Sequence, residues 1–196
     1  MKIIRMFSDR YPKVRVLIKS LATPKQVEFL RAGLIDVGFL TLPVEHEGLD
    51  IETILQERFL VAMPEHHPLS KRRRIPLRAL ANETMIIFPL HLSPGRHERT
   101  AEMCRRAGFS LHAAHEADNI YTMLEVVSAG FGISLMRASI KNTKKKGVTF
   151  RELMNSPVVE TAVATRHGDQ LDLLRHFVEV AKEITRPLSK TVRQKG

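Results

Sequence analysis

The stretch Asn119-Ile120-Tyr121-Thr122-Met123-Leu124-Glu125-Val126-Val127-Ser128-Ala129-Gly130-Phe131-Gly132-Ile133-Ser134-Leu135-Met136 reads as a helix, a tight turn and a strand in immediate succession. Asn119 is a short amide-bearing residue suited to cap a helix. Ile120, Met123, Leu124 and Val127 then recur on one face at helical spacing. Gly130 is a good stop, after which Gly130-Phe131-Gly132 turns the chain into a strand over Ile133 to Met136. That glycine pair lacks a third glycine and a preceding strand, so it is not read as a phosphate-binding loop.

The same alternation extends in both directions. Upstream, the pattern predicts a helix over Ile3 to Arg10 that ends before Tyr11-Pro12, then a strand over Val14 to Ile18. Thr23-Pro24 resembles an N-cap followed by proline, opening a helix through Val27 and Leu30 that Gly33 ends. Strands are expected over Ile35 to Leu40, Ile51 to Ile54, Phe59 to Met63 and Met85 to Phe88, with a helical turn over Pro76 to Leu80. Ser93-Pro94 repeats the cap-plus-proline signature for a helix to Ala107, stopped by Gly108. His112 to Glu116, Val148 to Leu153 and Val158 to Thr165 read as strands, and Leu171 to Ile184 as a final amphipathic helix. Such alternation implies an α/β architecture with mainly parallel sheets.

Composition narrows the class. The 196 residues carry a net charge of +10, one cysteine and no tryptophan, and 43% of them are hydrophobic, enough to fill a core. A lone cysteine excludes a disulfide framework and fits a reducing compartment. No stretch approaches the ~18 uninterrupted apolar residues of a membrane span, and Met1-Lys2-Ile3-Ile4-Arg5-Met6 is too short in its apolar run for a signal peptide. A soluble, cytoplasmic protein with no membrane partner is expected. The excess charge sits in three acid-free runs: Lys71-Arg72-Arg73-Arg74, Lys144-Lys145-Lys146, and the tail with Arg186, Lys190, Arg193 and Lys195. These hold eleven of the 31 bases and none of the 21 acids, which leaves the rest of the chain close to neutral. None interleaves aromatics or follows one helix face, so each reads as solvated loop or tail rather than a nucleic-acid groove.

Catalytic constellations are not legible. There is no Gly-x-Ser-x-Gly elbow, phosphate loop or paired metal motif, and no catalytic residue, cofactor or metal is expected. His112 and His115 would face opposite sides of a strand, and His66-His67 reads as a turn. Cys104, between Met103 and Arg105, reads as a small buried hydrophobe. Three helix starts are more informative: Thr23-Pro24, Ser93-Pro94 and Asn119 each follow an expected strand. In open α/β sheets, ligands bind beyond the carboxyl ends of strands, where free N–H groups favour anions. Each start taken singly reads as an ordinary cap.

Five ordered stretches then resemble one family. They are Phe7-x-x-x-Tyr11-Pro12-x-Val14, Leu30-x-x-Gly33-x-Ile35-Asp36-Val37-Gly38-Phe39, Glu57-x-Phe59-Leu60-Val61-Ala62-Met63-Pro64-x-x-His67-Pro68-Leu69, Ala107-Gly108-Phe109, and Val126 to Met136. Together they span almost the whole chain, which resembles the effector-binding (co-inducer) domain of LysR-type transcriptional regulators. The resemblance implies a type 2 periplasmic-binding-protein-like fold, α/β, with two Rossmann-like lobes joined by two crossover strands near Ala62 to His66 and Ala162 to Arg166. Regulatory lobe I would comprise residues 1–64 plus 165–196 and lobe II residues 65–164.

It also implies a non-enzymatic sensor of a small effector, for which a carboxylate is expected, that homo-oligomerises as a dimer or tetramer in the full-length regulator. The ligand-binding residues so implied are Ser20, Ala22, Thr23, Phe39, Thr41 and Thr165 on the first lobe, and Phe88, His91, Ser93, Asn119 and Ile120 on the second. Thr23 and Ser93 would donate hydroxyls, Phe88 and Ile120 would flank the effector's body, and His91 would be a pH-sensitive donor. DNA contact would run only through an amino-terminal winged helix-turn-helix missing from these residues. A strand that usually precedes the helix bearing Phe7 and Tyr11 is likewise not among them. The alternative is a stand-alone solute-binding protein of the same fold, ahead of an enzyme or a direct nucleic-acid binder.

Overall fold

The structure, a computed structural model, describes the backbone of residues 1–193 and the side chains of residues 1–187. It divides into two compact units, one of Met1–Gln56 with the chain from Glu160 onward, the other Glu57–Val159. The first unit is discontinuous. Strands β2 (Leu49–Pro64) and β8 (Val158–Arg166) carry the chain across the two breaks. The lobe limits expected after residues 64 and 164 fall at the end of β2 and within β8.

In unit one, α1 (Lys2–Arg10) buries Phe7 and packs on α5 (Asp172–Arg193). The Phe7 and Phe177 rings meet edge-on with centroids 4.9 Å apart, a favourable aromatic geometry. Arg10 closes the same helix pair with a two-pronged bond to Glu183, at 2.8 and 3.1 Å. Helix α2 (Thr23–Arg31) sinks Val27 and Leu30 against Leu40 and Ala164. Those two belong to β1 (Gly38–Thr41) and β8, which pair antiparallel from Gly38↔Ala164 to Thr41↔Thr161. In that sheet β8 lies between β1 and β2.

The strand expected over Val14 to Ile18 is not formed: among the described residues the segment pairs with no strand. Alternating β-branched residues favour extended backbone, but a strand also needs a ladder partner. Val14 and Val16 turn in toward the Phe7–Phe177 cluster, whereas Leu17 and Ile18 stay 71% and 62% exposed. A cleft of about 370 Å³ runs beside them, lined in part by Leu34, Val37 and Phe39.

In unit two, the second half of β2 is the buried spine. Phe59, Val61 and Met63 enter one apolar cluster while Leu60 and Ala62 enter another, as the two-residue period of a strand requires. Its edges are taken by β6 (Ser134–Arg137) and β7 (Val148–Leu153), both antiparallel, and β3 (Arg74–Ile75) adds to β7 in parallel. A second, two-stranded sheet holds β4 (Met85–Ile87) parallel to β5 (Ala113–Glu116), joined through α3 (Pro94–Arg106). The expectation of mainly parallel sheets is therefore corrected. A parallel neighbour needs a helix-sized crossover, and of consecutive strands only β4 and β5 both have one and lie side by side.

Smaller differences follow from packing. The segments expected as separate strands at 51–54 and 59–63 are one 16-residue strand. The final helix runs on past Ile184 to Arg193, with Pro187 inside it, so the basic tail is helical at Arg186 and Arg193. Lys195 lies outside the described residues. The glycine turn is built as read: α4 (Ile120–Ser128) ends with Gly130 N–H on Val127 O at 3.0 Å and Phe131 N–H on Val126 O at 3.3 Å. Gly132 is obligatory, because a Cβ there would lie 2.4 Å from Thr84 O.

Two outcomes check this packing. Phe59→Ala is expected to cost unit two about 3–5 kcal/mol in urea denaturation, whereas Leu17→Lys stays within about 0.5 kcal/mol of the parent. At one end of unit one, His167 Nδ1 lies 2.7 Å from Asp50 Oδ1, and that hydrogen bond raises the imidazole above its ordinary value of 6.5. With the folded value raised, the pair contributes stability when His167 is protonated and loses it as pH climbs through the raised midpoint. An NMR titration of His167 is expected to show this midpoint falling toward 6.5 in Asp50→Asn.

Candidate functional site

Because β4 and β5 are parallel, the segments that leave them emerge at one carboxyl edge, one leading to α3 and the other to α4. Phe88 follows β4 directly and is half-buried. The guanidinium of Arg96, in the first turn of α3, lies over its ring at 4.4 Å from the centroid. Arg96 Nε is buried without a hydrogen-bond partner. Burial lowers the Arg96 pKa to about 10, and neighbouring Arg137 pushes the same way while Glu57 opposes it. Arg137, at the end of β6, is also lowered by burial and held up by Glu57.

Glu57 is the counter-charge to both. It is only 7% exposed, and its Oε1 accepts the Ser139 amide at 2.7 Å. Both guanidiniums thus feel the charge of one carboxylate, which also takes an amide from the 3-10 turn Ala138–Asn142. Both arginines remain protonated at neutral pH. Sequence reading missed this trio; its one legible signal is a lone acid, Glu57, set just before the apolar run Phe59 to Met63.

The expected residues of unit two fall around this edge. Ser93 is the N-cap of α3 but makes no side-chain cap bond, which leaves its hydroxyl unengaged. Its cap reading is corrected to that extent. His91 is exposed in the turn before it. Asn119 caps α4 as read: Oδ1 accepts Thr122 N–H at 2.9 Å, while Nδ2 donates to Asp118 and Thr122. Ile120, the first residue of α4, is 40% exposed.

In unit one, the N-cap of α2 is Ala22, and Thr23 is already the first helical residue. Thr23 Oγ1 instead accepts the Thr41 amide at 3.3 Å, tying the end of β1 to the helix start and leaving its hydroxyl proton free to donate. Gln26, unforeseen from sequence, reinforces this tie: its Oε1 accepts Phe39 N–H at 2.8 Å and its Nε2 donates to Leu21 O at 2.9 Å. The Phe39 ring packs inward on Phe177, with centroids 6.1 Å apart. Ser20 is exposed, and Thr165 is half-buried on β8.

Other reactive groups are quiet. Cys104 is fully buried, which raises its thiol pKa and opposes thiolate chemistry. His112 and His115 are exposed. Among the described residues, no group of three His, Cys, Asp or Glu side chains is placed to hold a metal ion.

The profile of the LysR substrate binding domain matches residues 1–186. The chain belongs to the LysR substrate-binding domain family. Similar curated proteins are the transcriptional regulators AlsR of Bacillus subtilis, 28% identical over 91% of this chain, and BudR of Raoultella terrigena, 29% identical over 91%. The matched regions cover 60% and 62% of those proteins, so this LysR domain spans about three-fifths of their length. Solved structures share the fold. The BenM effector-binding domain with its effector benzoate superposes with a TM-score of 0.82 at 24% identity, covering 93% of this chain and 83% of that one. An OxyR mutant of Corynebacterium glutamicum gives 0.83 at 20% identity, covering 100% and 62%.

The buried trio makes a direct prediction for this LysR domain. Glu57→Gln removes the buried carboxylate that supports the charge of both Arg96 and Arg137 and is expected to cost about 3 kcal/mol in chemical denaturation, because removing one partner leaves poorly solvated charge uncompensated.

Proposed function

We propose that this chain is the effector-sensing domain of a LysR-type transcription regulator, and that its effector is a small carboxylate. Arg96 carries the reading: a half-buried arginine with a buried, unpartnered Nε, its guanidinium set over an aromatic ring in the first turn of a helix. A carboxylate arriving there meets Arg96, the unengaged Ser93 hydroxyl and the α3 amides together. Phe88 and Ile120 offer surface for an apolar body, and the benzoate bound by the BenM domain has this chemistry. The family resemblance also assigns to the effector Thr23, Thr41, Ser20, Ala22, Phe39 and Thr165 of unit one and His91 of unit two. Ligand-driven lobe movement would then bias oligomer packing in the complete, cytoplasmic regulator, whose DNA contacts lie outside these residues. The domain itself performs no chemistry.

Isothermal titration against benzoate and a panel of aromatic and aliphatic carboxylates tests this. Saturable binding is expected for at least one member, and Arg96→Ala is expected to weaken it about tenfold or more. A folded sample that binds none of them would remove the proposal.

A further inference from the structure

The basic run Lys71-Arg72-Arg73-Arg74, which reads as a solvated loop, has company in unit two. It leaves the 3-10 turn Pro68–Lys71 and enters β3. Lys71, Arg72 and Arg73 line one cavity of about 440 Å³ together with Lys141, from the 3-10 turn Ala138–Asn142, and Arg151 of β7. Three separated segments therefore bring five cations to one concave wall.

Glu152 is the only acid in that wall, and Arg74 is its β-ladder partner, with Nε 3.6 Å from the carboxylate. Arg151 is fixed by neutral acceptors alone: Nε donates to Ser70 O at 2.8 Å, and one terminal nitrogen donates to Thr149 Oγ1 at 2.6 Å and Phe150 O at 3.0 Å. Its position is set and its charge is uncompensated. Among the described residues, the side chains of Lys71, Arg72, Arg73 and Lys141 have no hydrogen bond or ion pair. Other cations of the fold do find carboxylates, as Lys145 does with Glu125 and Arg10 with Glu183.

Like charges crowded in a concavity repel one another and focus a positive field, and both effects are relieved by an anion. A single carboxylate answers only one of the five. Adjacent phosphate groups match several at once, since guanidinium and ammonium donors suit phosphate oxygens. The volume suits a small ligand, and Phe150, half-buried against the core, is the one aromatic residue of the wall. We propose that this cavity is a polyphosphate site, taking a linear anion of adjacent phosphate groups, either free or carried by a nucleotide. It is distinct from the Arg96 edge and does not depend on the effector reading.

Calorimetry at low salt with inorganic tripolyphosphate and with ATP tests the site. Saturable binding is expected, and the triple variant Lys71→Ala, Arg73→Ala, Lys141→Ala is expected to weaken it about tenfold or more. A charge-matched control, Lys13→Ala, Lys144→Ala, Lys146→Ala, is expected to stay within about twofold, since a net-charge effect alone would move both triples alike. All six side chains are in exposed positions, and an unchanged melting temperature verifies that each variant is folded. Tighter binding of ATP, lost in Phe150→Leu, identifies a nucleotide; equal affinity for both probes identifies the free anion. Equal weakening in both triples, or no saturable binding of either probe, would overturn the site. So would binding of a short DNA duplex in place of both probes.

Discussion

From Phe59 to Met63 the chain gives up nearly all of its surface, and a strand with five consecutive buried residues must be flanked on both edges and covered on both faces. Unit two is arranged to meet that demand. β6 and β7 close the two edges, and the alternate side chains feed two separate apolar clusters. Each large side chain so buried contributes about 1.5–3 kcal/mol of transfer free energy. The charged trio depends on the same strand, since Glu57 sits just before the apolar run and Arg137 ends the β6 ladder. Glu57 is held in a poorly solvated place because the strand it belongs to must be dry.

That coupling links packing to recognition. A poorly solvated cation keeps its charge more easily with compensation, and Glu57 supports both guanidiniums. The helix start of α3 adds positive potential. An anion at this edge would meet the unpartnered Arg96 Nε–H in a place where negative charge is favoured. That would give a small carboxylate a physical reason to bind.

Much of the fold was legible because its signals are local. The Asn119 cap, the glycine pair closing α4 and the apolar run of β2 all act within a few residues, and each formed as read. Val14 to Ile18 failed for the opposite reason: β propensity is local but a ladder is not, and among the described residues no strand pairs with it. Thr23 likewise looked like a cap, yet its oxygen serves the Thr41 amide, a contact that depends on where β1 arrives. The site was least legible where it matters most. Glu57, Arg96 and Arg137 lie far apart in sequence, and nothing local marks a charged side chain as buried. The basic run was visible from the start, but its convergence with Lys141 and Arg151 is a product of β7 and the turn before it.

The central claim is that the carboxyl edge of β4 and β5 receives a carboxylate through Arg96. The most direct measurement is a proton–nitrogen NMR titration of the domain with a carboxylate ligand, following backbone amides and the Arg96 side chain. Saturating shifts are expected that include the amides of Ser93, Gly95 and Arg96 and the Arg96 Nε–H. Saturating shifts that bypass all of these would contradict it.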